Sequence, residues 1–154
     1  MTKKKKEIQS LYKSELGKDK GYRPTRSPEA APFWAACKEG RLSLPQCTDC
    51  RQLHFYPRPI CPHCGGRTMT WRDSAGTGKV YSYAIVRQAI EKSFADLVPY
   101  VIAIVELDEG IRLLSHIRTE QPETITCGME VKVDFEAHTP ELTIPVFRPA
   151  TTSN

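Results

Sequence analysis

From residue 78 to residue 147 the chain repeats one pattern, in which short runs of β-branched, aliphatic and aromatic residues alternate with polar positions and end in turn residues. GKVYSYAIVRQA alternates, YVIAIVELDEG is an apolar run closed by an acidic turn, and IRLLSHI, EVKVDFEA and LTIPVF follow. Each has the length and composition of a β-strand. In TCGMEVKVDF a turn glycine, Gly128, precedes a strand whose Val131, Val133 and Phe135 share one face, as a barrel strand requires. Five strands within about 75 residues predict a small closed or nearly closed barrel, of which the OB-fold is the commonest type. The acidic cluster Glu106, Asp108 and Glu109 reads as a hairpin turn rather than a catalytic carboxylate pair.

Upstream the period changes. PFWAACKEG predicts a short helix opened by Pro32 and closed by Gly40, with Phe33, Trp34 and Cys37 on its apolar side. RLSLPQC turns Leu42 and Leu44 inward and delivers the chain to a cysteine-rich segment that Trp71 ends. Nearer the start, Ile8, Leu11, Tyr12 and Leu16 form one stripe of a short helix stopped by Gly17. GKDKGYRPTRSPEAAP then reads as a linker. The fold expected is mainly β in three parts: a basic arm over 1–26, a helix with a cysteine ribbon over 27–74, and a barrel over 75–150.

The net charge of +4 matters less than where it lies. Residues 1–26 carry nine Lys or Arg against three acids, a net of +6, which leaves −2 for the rest. The body is therefore not a basic platform for nucleic acid. The opening MTKKKKEIQS lacks the apolar stretch of a secretory signal, and no run is long enough to span a bilayer, so a cytoplasmic protein is expected.

In a reducing compartment paired CxxC motifs point to metal rather than disulfides. Cys47, Cys50, Cys61 and Cys64 form two such pairs separated by ten residues. Zinc takes four soft or borderline ligands at tetrahedral corners, and each CxxC turn supplies two sulfurs. In CPHCGG, Pro62 fixes one backbone angle while Gly65 and Gly66 tolerate the positive φ that aims N–H groups at sulfur. In CTDCRQ the equivalent position is Arg51, which is expected to strain the turn. Four thiolates also suit a rubredoxin-type iron, so zinc and iron both remain open here. With four thiolates at hand, His54 and His63 are expected to stay out of the coordination shell.

A closed four-thiolate site has no open position, so its metal staples a segment too small for its own core and does not activate substrate. Cys37 and Cys127 are expected to be small buried hydrophobes. Neither is paired locally with His116 or His138. The GTGK stretch at Gly76–Lys79 leads into a strand, whereas phosphate cradles open a helix. No catalytic residue is assigned.

The blocks PFWAACKEGRLSLPQCTDC, FYPRPICPHCGG, WRDSAGTGKVYSYAIV, PYVIAIVELDEGIRLLSHI and CGMEVKVDF, in that order, resemble the zinc-ribbon/OB-fold family that accompanies acyl-CoA enzymes. The resemblance covers about residues 28–148, and Arg51 departs from the family's glycine. It implies a rubredoxin-like ribbon holding one structural Zn²⁺ on Cys47, Cys50, Cys61 and Cys64, then a five-stranded OB-fold barrel. It also implies a non-catalytic partner of thiolases, thiolase-like aldolases or hydroxymethylglutaryl-CoA synthase, with CoA or a CoA thioester reaching the interface. Tyr56, Arg58, Lys79, Tyr81 and Tyr83 are the candidates near the ribbon–barrel junction, Arg58 and Lys79 for phosphate and the tyrosines for an apolar passage or for packing. The alternatives are a single-stranded nucleic-acid module and an electron-transfer iron protein.

Overall fold

The computed structural model describes residues 27–89 and 92–150. The expected arm and its Ile8–Leu16 stripe lie outside the described residues. A 3₁₀ turn, Pro28–Ala30, runs into helix α1, Ala31–Lys38. Seven strands follow: β1 (Ser43–Cys47), β2 (Met69–Asp73), β3 (Thr77–Val86), β4 (Tyr100–Leu107), β5 (Arg112–Ile117), β6 (Glu130–Thr139) and β7 (Leu142–Pro149). β1 and β2 pair alone, and the other five close into a barrel ordered β3-β4-β5-β7-β6. This is the mainly β, five-stranded barrel that the alternating runs predict.

The barrel closes through short contacts. β3 is long enough to serve two partners, pairing β4 from Gly78 to Val86 and β6 only through Thr77–Lys79. Gly78 sits where the three strands meet, and a Cβ there would strike the β4 backbone at Glu106 and Leu107. A bulge between Val80 and Ser82 re-aims the outer residues of β3. On the far side, β5 and β7 run parallel and meet at Ile117 and Phe147, extended by Arg118 N–H donating to the Phe147 carbonyl.

Alternation fills the interior. Along β4, Val101, Ala103, Val105 and Leu107 are buried, and Leu113, Ser115 and Ile117 do the same on β5. Ser115 satisfies its hydroxyl by donating to the Pro145 carbonyl. α1 packs on β7 and β1, which brings Phe33, Cys37, Leu42 and Leu44 into one cluster with Val105, Val131 and Phe147. Val146 and Phe147 are both fully buried, so β7 is covered on both faces. The ribbon and the barrel therefore share a core.

At the barrel seam, Arg118 holds Glu136 through two nitrogens, at 3.0 and 2.8 Å, and Arg148 bonds Asp134 at 2.5 Å. Arg118 is only 13% exposed, so this pair is screened less than a surface ion pair. In the β4–β5 turn, Glu109 accepts from the Ala75 N–H and Asp108 from the Thr77 hydroxyl. These carboxylates tie the turn to the start of the barrel.

Three expectations are corrected. The linker ends early, because Pro28–Ala30 is a 3₁₀ turn and Ala30 is fully buried. The ribbon gains a strand, β2, where the sequence predicts only an end at Trp71. Cys127 is exposed and precedes β6 in a turn closed by Gly128 at φ +84°. Cys127 is therefore not the small buried hydrophobe expected.

Replacing Phe33 by Ala should destabilise the protein by about 3–5 kcal/mol in chemical denaturation, because the ring is 1% exposed in the shared core. Burial pushes the Cys37 thiol up to about 12. The unfolded chain thus releases this proton near pH 9, before the folded one does. Stability should be insensitive to this group below pH 9 and fall between pH 9 and 12, with a shallower decline in Cys37→Ala.

Candidate metal centre

β1 ends on Cys47, and the chain turns at once into the first knuckle. Its backbone is closed by Arg51 N–H donating to the Cys47 carbonyl at 2.9 Å and Cys47 N–H donating to Gln52 at 3.0 Å. The second knuckle repeats this pattern with Gly65 N–H to Cys61 at 3.0 Å and Cys61 N–H to Gly66 at 2.8 Å. Arg51 and Gly65 are thus equivalent positions, at φ +59° and +78°. The positive φ inferred for the knuckle is required of both, and Arg51 adopts it against its side chain. Gly66 is needed for a separate reason: a Cβ there would meet Asp49 and approach Cys47 Sγ to 3.1 Å.

The loop between the knuckles is fastened on both sides. Leu53 bridges Gln46, and His54 N–H donates to the Pro45 carbonyl. Phe33, Trp34, Phe55 and Tyr56 form an aromatic cluster with neighbouring centroids 5.0–6.3 Å apart, and Trp34 Nε1 donates to the Tyr56 hydroxyl. Tyr56 is therefore a packing residue against α1. The chain returns through Thr48 N–H donating to Thr68, and β2 completes the ribbon.

This fold brings the four cysteine sulfurs within 4.8 Å of one another. Cys47 and Cys64 approach to 3.6 Å, as do Cys50 and Cys61. Zinc–sulfur bonds of about 2.3 Å at tetrahedral corners place sulfurs about 3.8 Å apart, so the set fits one such ion. Backbone N–H groups of His63 and Gly66 point at Cys61 Sγ and Cys64 Sγ, each at 3.4 Å. Burial opposes ionisation of Cys61, but the His63 and Cys64 N–H groups outweigh it and pull the thiol down to about 6. The Gly66 N–H favours the Cys64 thiolate, yet neighbouring Cys50 and Cys47 push it up to about 12. Four adjacent thiols cannot all ionise unless a cation sits among them.

Neither histidine belongs to the cluster. His63 Nε2 lies 3.3 Å from the Leu53 carbonyl. His54 is 3% exposed, and burial lowers its pKa.

The remaining candidates separate. Arg58 lines a groove of about 270 Å³ with Arg67, Trp71, Met69, Glu29, Pro45, Pro57 and Pro59. Lys79 does not line it. In the barrel register Lys79 stands between Glu106 and Glu130. Tyr81 and Tyr83 are exposed on β3, with the Arg112 guanidinium 3.5 Å from the Tyr81 ring centroid. Arg67 and Trp71 escaped the sequence reading because only the antiparallel return of β2 sets them beside the Pro57–Pro59 loop.

Family models match both parts: "ChsH2, rubredoxin-like zinc ribbon domain" over 34–70 and "ChsH2, C-terminal OB-fold domain" over 71–136. A solved structure described as "Ltp2-ChsH2(DUF35) aldolase" superposes at TM-score 0.76 with 41% identity, covering 84% of this chain and all of that one. The chain belongs to the ChsH2/DUF35 family. A "DUF35 domain-containing scaffold protein" of Pyrococcus furiosus is 36% identical over 106 residues, 68% of this chain and 76% of its own. A "Probable enoyl-CoA hydratase alpha subunit" of Thermomonospora curvata is 41% identical over 128 residues, 83% of this chain. The chain spans only 40% of that relative's length. The ribbon and closed barrel are thus features of the family, and the helix that joins them starts at the edge of the matched region.

Arg51→Gly should raise the stability of the zinc-loaded protein by up to about 1 kcal/mol, since the αL cost of the arginine is removed and part is returned as unfolded-chain entropy. Metal retention should decline as pH falls, because protons compete for the thiolates. Titration with a chromogenic zinc chelator across pH 5–8 measures it.

Proposed function

We propose that this chain is a zinc-stapled auxiliary subunit of an acyl-CoA enzyme, with Cys47, Cys50, Cys61 and Cys64 holding one structural zinc. The ion would neutralise the thiolates and fix the ribbon, and with four protein ligands it would have no position left for substrate. The observation that carries the reading is a ribbon and a barrel fused into one core around a closed four-thiol cluster, in a family whose named relatives include a hydratase subunit, an aldolase and a scaffold. The other two cysteines fit no catalytic role. Cys37 is buried with its thiol pushed up to about 12, and Cys127 stands in an exposed turn.

The finer reading assigns a thiolase-type partner. With its lysine-rich head the chain is similar to the small zinc-finger subunit of the benzoylsuccinyl-CoA thiolase of anaerobic toluene degradation. In this reading the chain shapes or gates the CoA entrance and stabilises the catalytic subunit. The Arg58–Arg67 groove supports it, because two guanidiniums beside Trp71 suit an anionic, aromatic end group. Lys79 is a weaker participant, since two carboxylates flank it in register.

The nucleic-acid alternative is disfavoured by the outer face of β3, β4 and β5, the usual OB-fold binding surface. Arg112 there is engaged by Glu106 at 2.5 Å and by the Tyr81 ring. Among the described residues, that face offers apolar side chains instead of a cationic track.

An affinity-tagged copy expressed in its own cells should be recovered with an acyl-CoA enzyme subunit, identified by mass spectrometry and native mass. Recovery alone or with nucleic acid overturns the reading. In the recovered complex, Arg58→Ala with Arg67→Ala should raise KM for the CoA thioester about tenfold while leaving assembly intact, the loss of roughly one charge-assisted contact.

A further inference from the structure

The outer face of the barrel carries a feature that neither the metal nor the arginine groove uses. On β4 the outward positions are Tyr100, Ile102, Ile104 and Glu106, since the intervening residues fill the core. Strand register sets Ile104 between Ser82 and Leu114, and Ile102 between Ala84 and His116. Leu114 is 69% exposed and Tyr81 50%. The result is a largely apolar strip across three strands, bounded by Ser82 and His116, with Tyr100 packed on the His116 ring at 5.5 Å and on Phe94 at 6.0 Å.

The charges at its borders alternate in sign, and two pairs of them bond. Along one border Glu130, Lys79, Glu106 and Arg112 alternate in sign across four strands, and Arg112 bonds Glu106. Beyond the other, Arg87 pairs with Glu123 at 2.8 Å. A charged partner would have to desolvate the Arg112–Glu106 pair or approach Lys79 between its two carboxylate neighbours. The complementary surface is therefore uncharged and apolar. Three strands about 4.8 Å apart and three rows about 7 Å apart make a strip of roughly 10 by 14 Å. That is far less than the ~800 Å² per partner of a stable complex, so the strip is the apolar centre of a larger footprint.

We infer that the β3–β4–β5 face, centred on Leu114, Ile104 and Tyr81, is the docking surface for an uncharged apolar face of the catalytic subunit. This inference rests on the auxiliary-subunit reading. The partner's apolar side chains cover Leu114, and Tyr81, held by Arg112, supplies a rigid aromatic anchor.

The test uses the full chain and the enzyme subunit identified by the capture above. Leu114→Asp and Tyr81→Ala should each raise Kd at least tenfold, whereas Leu114→Met should bind like the parent chain. Both disruptive sites are at least half exposed, so circular dichroism and zinc content should be unchanged. Affinity should hold or rise between 50 and 500 mM NaCl, roughly the range over which exposed charge pairs are screened out. Hydroxyl-radical footprinting should show Tyr81 and Leu114 protected in the complex. Unchanged binding by Leu114→Asp overturns this inference alone. A Leu114-dependent dimer of the isolated chain in sedimentation also overturns it, by making a second copy the occupant. Capture of no enzyme subunit removes the auxiliary reading and this inference together.

Discussion

Four cysteine sulfurs within 4.8 Å of one another impose the constraint on which the ribbon depends. As free thiols they crowd; as thiolates they repel. Only a cation at their centre reconciles close approach with ionisation, and the family's ribbon is a zinc fold. Between Cys47 and Met69 the chain has two knuckles, one isolated bridge and a proline-stiffened loop, with no regular strand of its own. The energy that closes this segment comes from coordination and from the aromatic cluster packed on α1, because the segment is too short to bury a core.

Helix α1 makes the ribbon more than an appendage. Phe33 and Cys37 belong to the same buried cluster as the barrel residues Val105, Val131 and Phe147, so ordering the ribbon and ordering the barrel are coupled through one short helix. The seam formed by Arg118, Glu136 and Arg148 adds a polar tie across β5, β7 and β6, where parallel strand pairing is thinnest. A two-part body of this kind commits its Ser115 hydroxyl and its Arg118–Glu136 pair to structure. What it leaves available is surface: the arginine groove on the ribbon and the apolar strip on the barrel.

Those two surfaces differ in chemistry, and the difference separates their roles. Arg58 and Arg67 project from the knuckle side beside Trp71, where charge and aromatic area coincide. The barrel face has Arg112 paired with Glu106 and exposes Leu114 and Tyr81. On the proposed reading, the apolar face would hold a partner and the groove would meet an anionic ligand. The four-cysteine cluster lies outside both surfaces.

The sequence by itself determined the spacing of the four clustered cysteines, the barrel strands and the helix that joins the two parts. Cysteine spacing and period-2 alternation are local patterns, so they survive without knowledge of long-range pairing. Even the strain at Arg51 was visible, since the equivalent knuckle position holds Gly65 and the positive φ follows from the turn. Only the tertiary structure decided the rest. Strand β2 is too polar and too exposed to announce itself, and exists because β1 pairs with it from Ser43 to Cys47. Cys127 reads as a strand residue but falls in the turn that Gly128 closes. Lys79 looks like a free cation until strand register sets it between Glu106 and Glu130. Which outward side chains become neighbours depends on how strands far apart in sequence are aligned, and no local pattern carries that information.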